Sequence, residues 1–296
     1  MTVQTVPRAL ACMLLVVGLL TGPVTGASGQ VPLDVMTFNI RTANGRDGEN
    51  NWPLRKELVV ETIGRFAPQV VGLQEALDEQ IEYLDAMLPD YRWLGIDRGL
   101  NGGVGLSEAT PIFYRYRELS PVESGNFWLT STPDTPPVRR NGNRRRRGGG
   151  RIVTWARFYH RDTGRQFYVF NTHFTLRRGQ SQLDSAELIA TLVAALPAGA
   201  PVIVMGDFNN SAEDSDTWRV ATAGGLGDAW VLAGETRGPP VTYGDFGPPG
   251  DALMERVDWI LVGGPVAVRS VETVLHNDGG RYPSDHYPVA AHLEMR

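Results

Sequence analysis

Five short polar clusters border apolar, strand-like runs: Phe38-Asn39, Gln74-Glu75, Asn171-Thr172-His173, Gly206-Asp207-Phe208-Asn209 and Ser284-Asp285-His286. They combine carboxylates, carboxamides and two imidazoles, a mixture suited to cleaving a phosphate ester. A phosphodiester is anionic and repels nucleophiles. Carboxylate and amide oxygens can hold Mg²⁺, which takes one or two carboxylates and keeps several waters. The ion neutralises charge developing on the phosphate oxygens. A histidine can donate to a phosphoryl oxygen, and a carboxylate can orient and deprotonate a water. Zinc fits less well, because the only cysteine is Cys12 and there is no His-x-x-x-His.

Taken singly, each cluster has an ordinary structural reading. Gly-Asp-Phe-Asn is often a turn with an Asx cap. Asn39 could be a strand-end amide and His173 a satisfied core histidine. Glu75 could serve the N-terminus of the helix that begins near Leu77, where negative charge is favoured. Ser284-Asp285-His286 is the most specific, because Tyr282-Pro283 and Tyr287-Pro288 bracket it rigidly.

The segments that must position these groups alternate between strand and helix. Strand-like runs are Val31 to Ile40, Gln69 to Gln74, the stretch from Ile152, Gln166 to Thr172, Pro201 to Met205 and Val257 to Val262. Asn51-Trp52-Pro53 predicts a helix start, with Asn51 as cap and Pro53 in the first turn. Leu54, Leu58, Thr62/Ile63 and Phe66 follow at helical spacing, and Leu77, Ile81, Leu84 and Leu88 mark a second helix. Ser181 with Asp184 predicts a capping box opening a helix to Leu196. Strands mixed with helices imply an α/β or α+β sheet protein. Trp128, Trp155 and Tyr159, in alternating strand context, are expected in the core rather than as base-stacking platforms.

The composition is globular: 296 residues, 42% hydrophobic and 21% charged, which excludes disordered, collagenous and multi-span membrane proteins. The formal charge is 28 − 33 = −5, which argues against holding polyanions by bulk charge. Arg8, the apolar run Ala9 to Leu20 and the small residues Thr25 to Gly29 read as a signal peptide over 1–29. The run is too short to span a bilayer. The expectation is therefore a secreted or periplasmic protein without stable membrane insertion, with one catalytic domain over 30–296. Pro133 to Arg151 (PDTPPVRRNGNRRRRGGGR) reads as a flexible surface loop. It would bind a polyanion or be a solvated tract. Because Lys56 is the only lysine, an arginine run is less surprising, which favours the solvated reading.

In order and spacing the clusters are far more specific. The motifs MTFNIR, VVGLQEA, PIFYR, TWARF, FNTHF, VIVMGDFN, VDWILV and RYPSDHYPV, running from Val35 to Leu293, resemble the endonuclease/exonuclease/phosphatase superfamily. That superfamily includes deoxyribonucleases, abasic-site endonucleases, inositol polyphosphate phosphatases, neutral sphingomyelinases and deadenylases. Phe127-Trp128-Leu129 and the strand Arg151 to Arg157 look closest to a bacterial subgroup. The resemblance implies a four-layer α/β/β/α sandwich of two packed mixed sheets. It also implies a Mg²⁺-dependent hydrolase, with Mn²⁺ or Ca²⁺ as alternatives. Asn39 and Glu75 match the first metal-binding pair, and Asp285 a second metal-side carboxylate. Asp207 matches the carboxylate that activates water, and Asn209 the amide that contacts the scissile phosphate. His286 matches the phosphate-binding histidine, Asp258 the acid paired with it, and His173 a histidine near the leaving group. Glu108 is the expected partner of His173, and Arg151 an expected substrate contact.

Two departures from close relatives bear on substrate choice. An Asp-His pair usually follows the Thr-His, where this chain has Thr175-Leu176. A Gly-Trp segment usually stands where this chain has Arg139 to Gly150. The expected substrate is a phosphate ester, either nucleic acid or a sugar or inositol phosphate, handled by a monomer. An extracellular nuclease is one alternative. A non-catalytic phosphate-binding protein on the same scaffold is another, but it would normally have lost a catalytic acid or histidine. A glycosidase using two of the carboxylates explains neither histidine nor the Asp-x-Asn pair.

Overall fold

The structure is a computed structural model that describes residues 29–98, 107–136, 150–250 and 255–296. In chain order the strands begin with β1 (Val31–Asn39), β2 (Val70–Gln74), β3 (Tyr91–Leu94), β4 (Ile112–Arg115) and β5 (Leu119–Trp128). They continue with β6 (Ile152–His160), β7 (Gln166–His173), β8 (Val202–Asp207) and β9 (Leu226–Asp228). The last are β10 (Glu235–Arg237), β11 (Asp258–Gly263), β12 (Val266–Thr273) and β13 (Val289–Met295). The α-helices are α1 (Lys56–Phe66), α2 (Asp78–Met87), α3 (Gln180–Ala194), α4 (Asp216–Ala223) and α5 (Ala229–Leu232).

The strands form two mixed sheets, one ordered β10-β12-β13-β1-β2-β4-β3 and the other β5-β6-β7-β8-β11-β9. Period-2 alternation places the central strands between two cores. Val31, Leu33 and Val35 of β1 face Phe158, Phe167, Ile203 and Ile260 between the sheets. Met36 and Phe38 face the other way, onto Val59 and Ile63 of α1 and Ile81 and Leu84 of α2. Across the sandwich, Val202 and Val204 of β8 pack with Ala186 and Ile189 of α3. Three cores between four layers give the α/β/β/α sandwich that the sequence motifs imply.

Buried polar side chains bolt the two sheets together beneath one edge. The Asn171 amide donates to the carbonyls of Leu73 (2.8 Å) and Pro111 (2.9 Å), and its oxygen accepts from Gln74 Nε2 (2.7 Å). A Cβ at Gly72 would lie 2.7 Å from the Asn171 side chain, so the sheets approach closely only with glycine there. Gly206 has φ +153°, and a Cβ there would meet the Thr172 carbonyl oxygen at 2.1 Å.

Several local expectations are corrected. Asn51 makes no side-chain cap; its oxygen accepts from the Asp47 amide instead. The segment opens as a short 3₁₀ turn over Trp52–Leu54, which leaves Leu54 exposed, and the α-helix starts at Lys56. The helix predicted to open on a Ser181–Asp184 box begins at Gln180 after Gly179, with no side-chain cap, and Asp184 accepts from Gln180 instead. Trp128 and Trp155 are buried, but Tyr159 is exposed near the end of β6. The arginine run lies outside the described residues, as does the segment expected to be a signal peptide except for its last residue. Among the described residues, no helix is long and apolar enough to cross a membrane.

Candidate active site

The parallel pairs β1/β2 and β7/β8 end at the same edge of the sandwich, which brings Asn39, Glu75, His173 and Asp207 together. Antiparallel β11 begins there, with Asp258 opposite Asp207. The loop entering β13 adds Asp285 and His286. Glu75 and Asn209 both sit at positive φ (+60° and +51°), conformations that turn a side chain sharply off a strand end.

Asp207 is the hub. Its Oδ2 accepts from Asn39 Nδ2 (2.9 Å), and its Oδ1 from the Asn209 amide (2.8 Å). His173 Nε2 lies 3.4 Å and His286 Nε2 3.9 Å from Oδ2. Burial and the neighbouring Asp258 push the Asp207 carboxyl up to about 7, against the opposing pull of His286. The two histidines are held in opposite states. Burial, reinforced by Arg151 and Arg98, keeps His173 well below the usual imidazole range. Burial also opposes charge on His286, but Asp258, Asp207 and Asp285 together outweigh it and hold that ring well above the range. His286 Nδ1 donates to Asp258 Oδ2 at 2.8 Å.

A second group of oxygens faces the same cleft. Glu75 accepts from Asn39 Nδ2 (3.3 Å) and from the Thr42 amide (3.1 Å). Asp285 accepts from Ser284 Oγ (3.1 Å) and lies 3.5 Å from the Arg41 guanidinium. Burial pushes the Asp285 carboxyl up, with the charge of Glu75 adding to it. Asn39 donates its amide nitrogen to Glu75 and Asp207, and its oxygen accepts from the Arg41 amide (3.0 Å).

Residues without catalytic chemistry fix these positions. Arg55 is fully buried, and its guanidinium donates to the carbonyls of Ile40 (2.6 Å), Arg41 (2.8 Å), Pro283 (3.0 Å) and Asn50 (2.9 Å). It thereby staples the end of β1 to the Asp285–His286 loop, and burial lowers its own value to about 10. Ser284 Oγ also donates to the Asn39 carbonyl (2.7 Å). Gln182, buried on α3, donates to the carbonyls of Thr175 (2.7 Å) and Asn209 (3.2 Å). Sequence reasoning missed Arg55 and Gln182. An arginine or glutamine on a helix ordinarily reads as surface, and Arg55 carries no signal beyond following Trp52-Pro53-Leu54.

The cleft, about 340 Å³, is lined by Asp207, His173, His286, Asn209, Glu75 and Asp285, together with Arg41, Arg151, Leu176 and Tyr243. Asn39 and Asp258 stand behind this lining. Arg151 lines the cleft, and burial brings its guanidinium down to about 10. Glu108 does not partner His173. It pairs with Arg98 (2.8 Å) and lies 3.9 Å from Arg151, while His173 faces Asp207.

Across residues 36–286 the chain matches the sequence profile of the Endonuclease/Exonuclease/phosphatase family. The chain belongs to that family. A family member from Bacteroides vulgatus is 32% identical, with a TM-score of 0.81 over 90% of this chain and 100% of that one. The mannosyl-6-phosphatase of Bacteroides thetaiotaomicron is 27% identical, with a TM-score of 0.79 over 88% of this chain and 99% of that one. An uncharacterised protein of Acanthamoeba polyphaga mimivirus is 26% identical over 170 residues, which are 53% of this chain and 59% of that protein's length.

Enzymes of the family use divalent metals, and two oxygen-rich groupings here bear on where one would sit. Asp207, Asp258 and His286 offer ligand atoms within 4.8 Å of one another. There, however, the His286 nitrogen nearest Asp258 is committed to a hydrogen bond with it. Glu75 and Asp285 instead crowd two carboxylates at the cleft with hard oxygens, a donor set that fits Mg²⁺.

Proposed function

We propose that the protein is a secreted, Mg²⁺-dependent phosphoesterase that cleaves a phosphodiester or phosphomonoester by in-line attack of an activated water. One observation carries the reading: the buried Asp207 carboxylate lies within 4 Å of two imidazoles, His173 and His286, and Asp258 holds the second. Glu75 and Asp285 would hold the ion. Asn39, expected from the sequence as a ligand beside Glu75, instead turns its amide nitrogen to Glu75 and Asp207 and would hold those carboxylates in place. Bound there, a divalent cation supplies charge neutralisation at the phosphoryl oxygens. Mn²⁺ and Ca²⁺ suit the same oxygens.

In this reading Asp207 orients the water and takes its proton, which a carboxyl near pH 7 does efficiently. His286, kept charged by Asp258, donates to a non-bridging oxygen as negative charge grows. Asn209 is positioned at the same phosphate by its bond to the Phe174 carbonyl (3.0 Å). His173, neutral, stands at the leaving-group side, and Arg151 contributes positive charge at the cleft wall. The apolar run Ala9 to Leu20 supports export.

The test is a panel of phosphodiesters, phosphomonoesters and polysaccharides assayed with Mg²⁺, Mn²⁺ and Ca²⁺. Hydrolysis of at least one phosphate ester, lost in excess chelator and in Asp207→Ala and His286→Ala that retain wild-type folding, is expected. Full activity in either variant, or undiminished rates in chelator, would refute it.

A further inference from the structure

We propose that the cleft selects phosphate esters whose ester group is an aromatic ring, received by a wall of Leu176, Val257 and Tyr243. The inference rests on the phosphoesterase reading and concerns the side of the cleft away from Glu108 and Arg151. Leu176 lines the cleft yet is 75% exposed, and Tyr243 is 39% exposed. A loose loop does not explain the leucine's position. The Phe174 amide donates to the Asp207 carbonyl (2.8 Å), and Gln182 holds the Thr175 carbonyl (2.7 Å). Beyond Leu176, Arg178 donates to Glu255 (3.1 Å), which ties the loop to the segment leading into Val257. The backbone is thus fastened just before an apolar side chain that lines the cleft, and a side-chain ion pair follows it.

Tyr243 connects this wall to the phosphate end. Its ring meets His286 edge-on at 5.2 Å between centroids, and its backbone bridges that of His286. Thr242 Oγ1 accepts from the Val257 and Asp258 amides (3.0 Å each), which sets Val257 beside the same strand. The two charges on this side, Arg178 and Glu255, satisfy each other. An ester group leaving the phosphate here meets carbon. A polyhydroxylated sugar would gain little from Leu176 and Val257 and would find only the Tyr243 hydroxyl and the already paired Arg178 and Glu255 for its hydroxyls, whereas a ring gains contact with both the tyrosine and the leucine.

The experiment compares two non-hydrolysable probes by calorimetric titration of the intact protein with Mg²⁺ present: 1-naphthylphosphonate and methylphosphonate. The naphthyl probe is expected to bind roughly tenfold more tightly. Leu176→Asp should collapse that ratio towards one, and Leu176→Met should keep it. Equal affinities in the wild type, or a ratio unmoved by Leu176→Asp, would overturn the inference. The titration reads no turnover. A protein that prefers the naphthyl probe yet hydrolyses no phosphate ester would therefore refute the phosphoesterase reading and leave the aromatic wall standing.

Discussion

Asp258 makes His286 a cation in a place where burial alone would make it neutral. The consequence for stability has a definite sign. A histidine raised in the folded state stabilises the fold fully below its ordinary value near 6.5, and that contribution disappears as pH rises through the elevated value. Asp258→Asn removes the partner at 2.8 Å, so the His286 titration should move to lower pH, and the alkaline loss of stability with it. NMR titration of the imidazole and urea midpoints across pH read both; an unshifted His286 would contradict the pairing. The site's chemistry was legible at this scale because acids, amides and imidazoles at strand ends announce themselves by type. The oppositely held histidines were not legible, since the difference comes from Arg98 and Arg151 against Asp207, Asp258 and Asp285, neighbours set by folding alone. Glu108 misled for the same reason: two arginines claim it first.

Between elements, two buried polar groups hold the edge in register. Arg55 joins the end of β1 to the loop before β13 through four carbonyls. Arg55→Met would leave those carbonyls without their charged donor, at about 3 kcal/mol by the usual cost of such bonds. Urea unfolding should register that loss, and Mg²⁺ affinity measured by calorimetry should weaken, because the Asp285 loop is then free to drift from Asn39. Asn171→Leu removes the side-chain donor to the Leu73 and Pro111 carbonyls and the acceptor of Gln74 Nε2. Because Pro111 still accepts from the Leu73 amide and Gln74 still donates to Thr37 and Gly72, the loss should be about 1–2 kcal/mol in the same assay. The strands β1, β2, β6, β7, β8 and β11 were readable as apolar runs, because both of their faces are largely covered, whereas the short or half-exposed β3, β5, β9, β10 and β12 were not. Helix starts were read less well. The entry to α1 follows a 3₁₀ turn whose cap residue serves Asp47, and the start of α3 is set by Gly179 rather than by a serine. Those details depend on where the preceding loop is anchored, which spacing does not encode.

For the whole molecule, charge decides how a long substrate would be held. The net charge is −5, and the cleft presents three guanidinium groups, Arg41 and Arg151 near the acids and Arg178 paired with Glu255. If the arginine run is a solvated tract, binding of an oligonucleotide should depend shallowly on salt, with a log–log slope no steeper than about −2. A slope near −5 or steeper would assign the run to substrate binding. Filter binding at several salt concentrations, repeated with the four arginines 144–147 replaced by serine, measures it. The alternation of strands and helices showed only a mixed α/β or α+β sheet protein; the four layers, and the meeting of both sheets at one edge, were legible only through the family resemblance carried by the order of the motifs.

β1 lies between β2 and β13, with Val31 opposite Met295 and Thr37 opposite Val289. One of the first strands to be synthesised therefore waits for one of the last before its second flank is covered, and Asp285 and His286 arrive only just ahead of that partner. During translation the polypeptide can hold no working centre until β13 has emerged, so a ribosome-bound intermediate should be inert towards every phosphate ester, whatever its length up to that point.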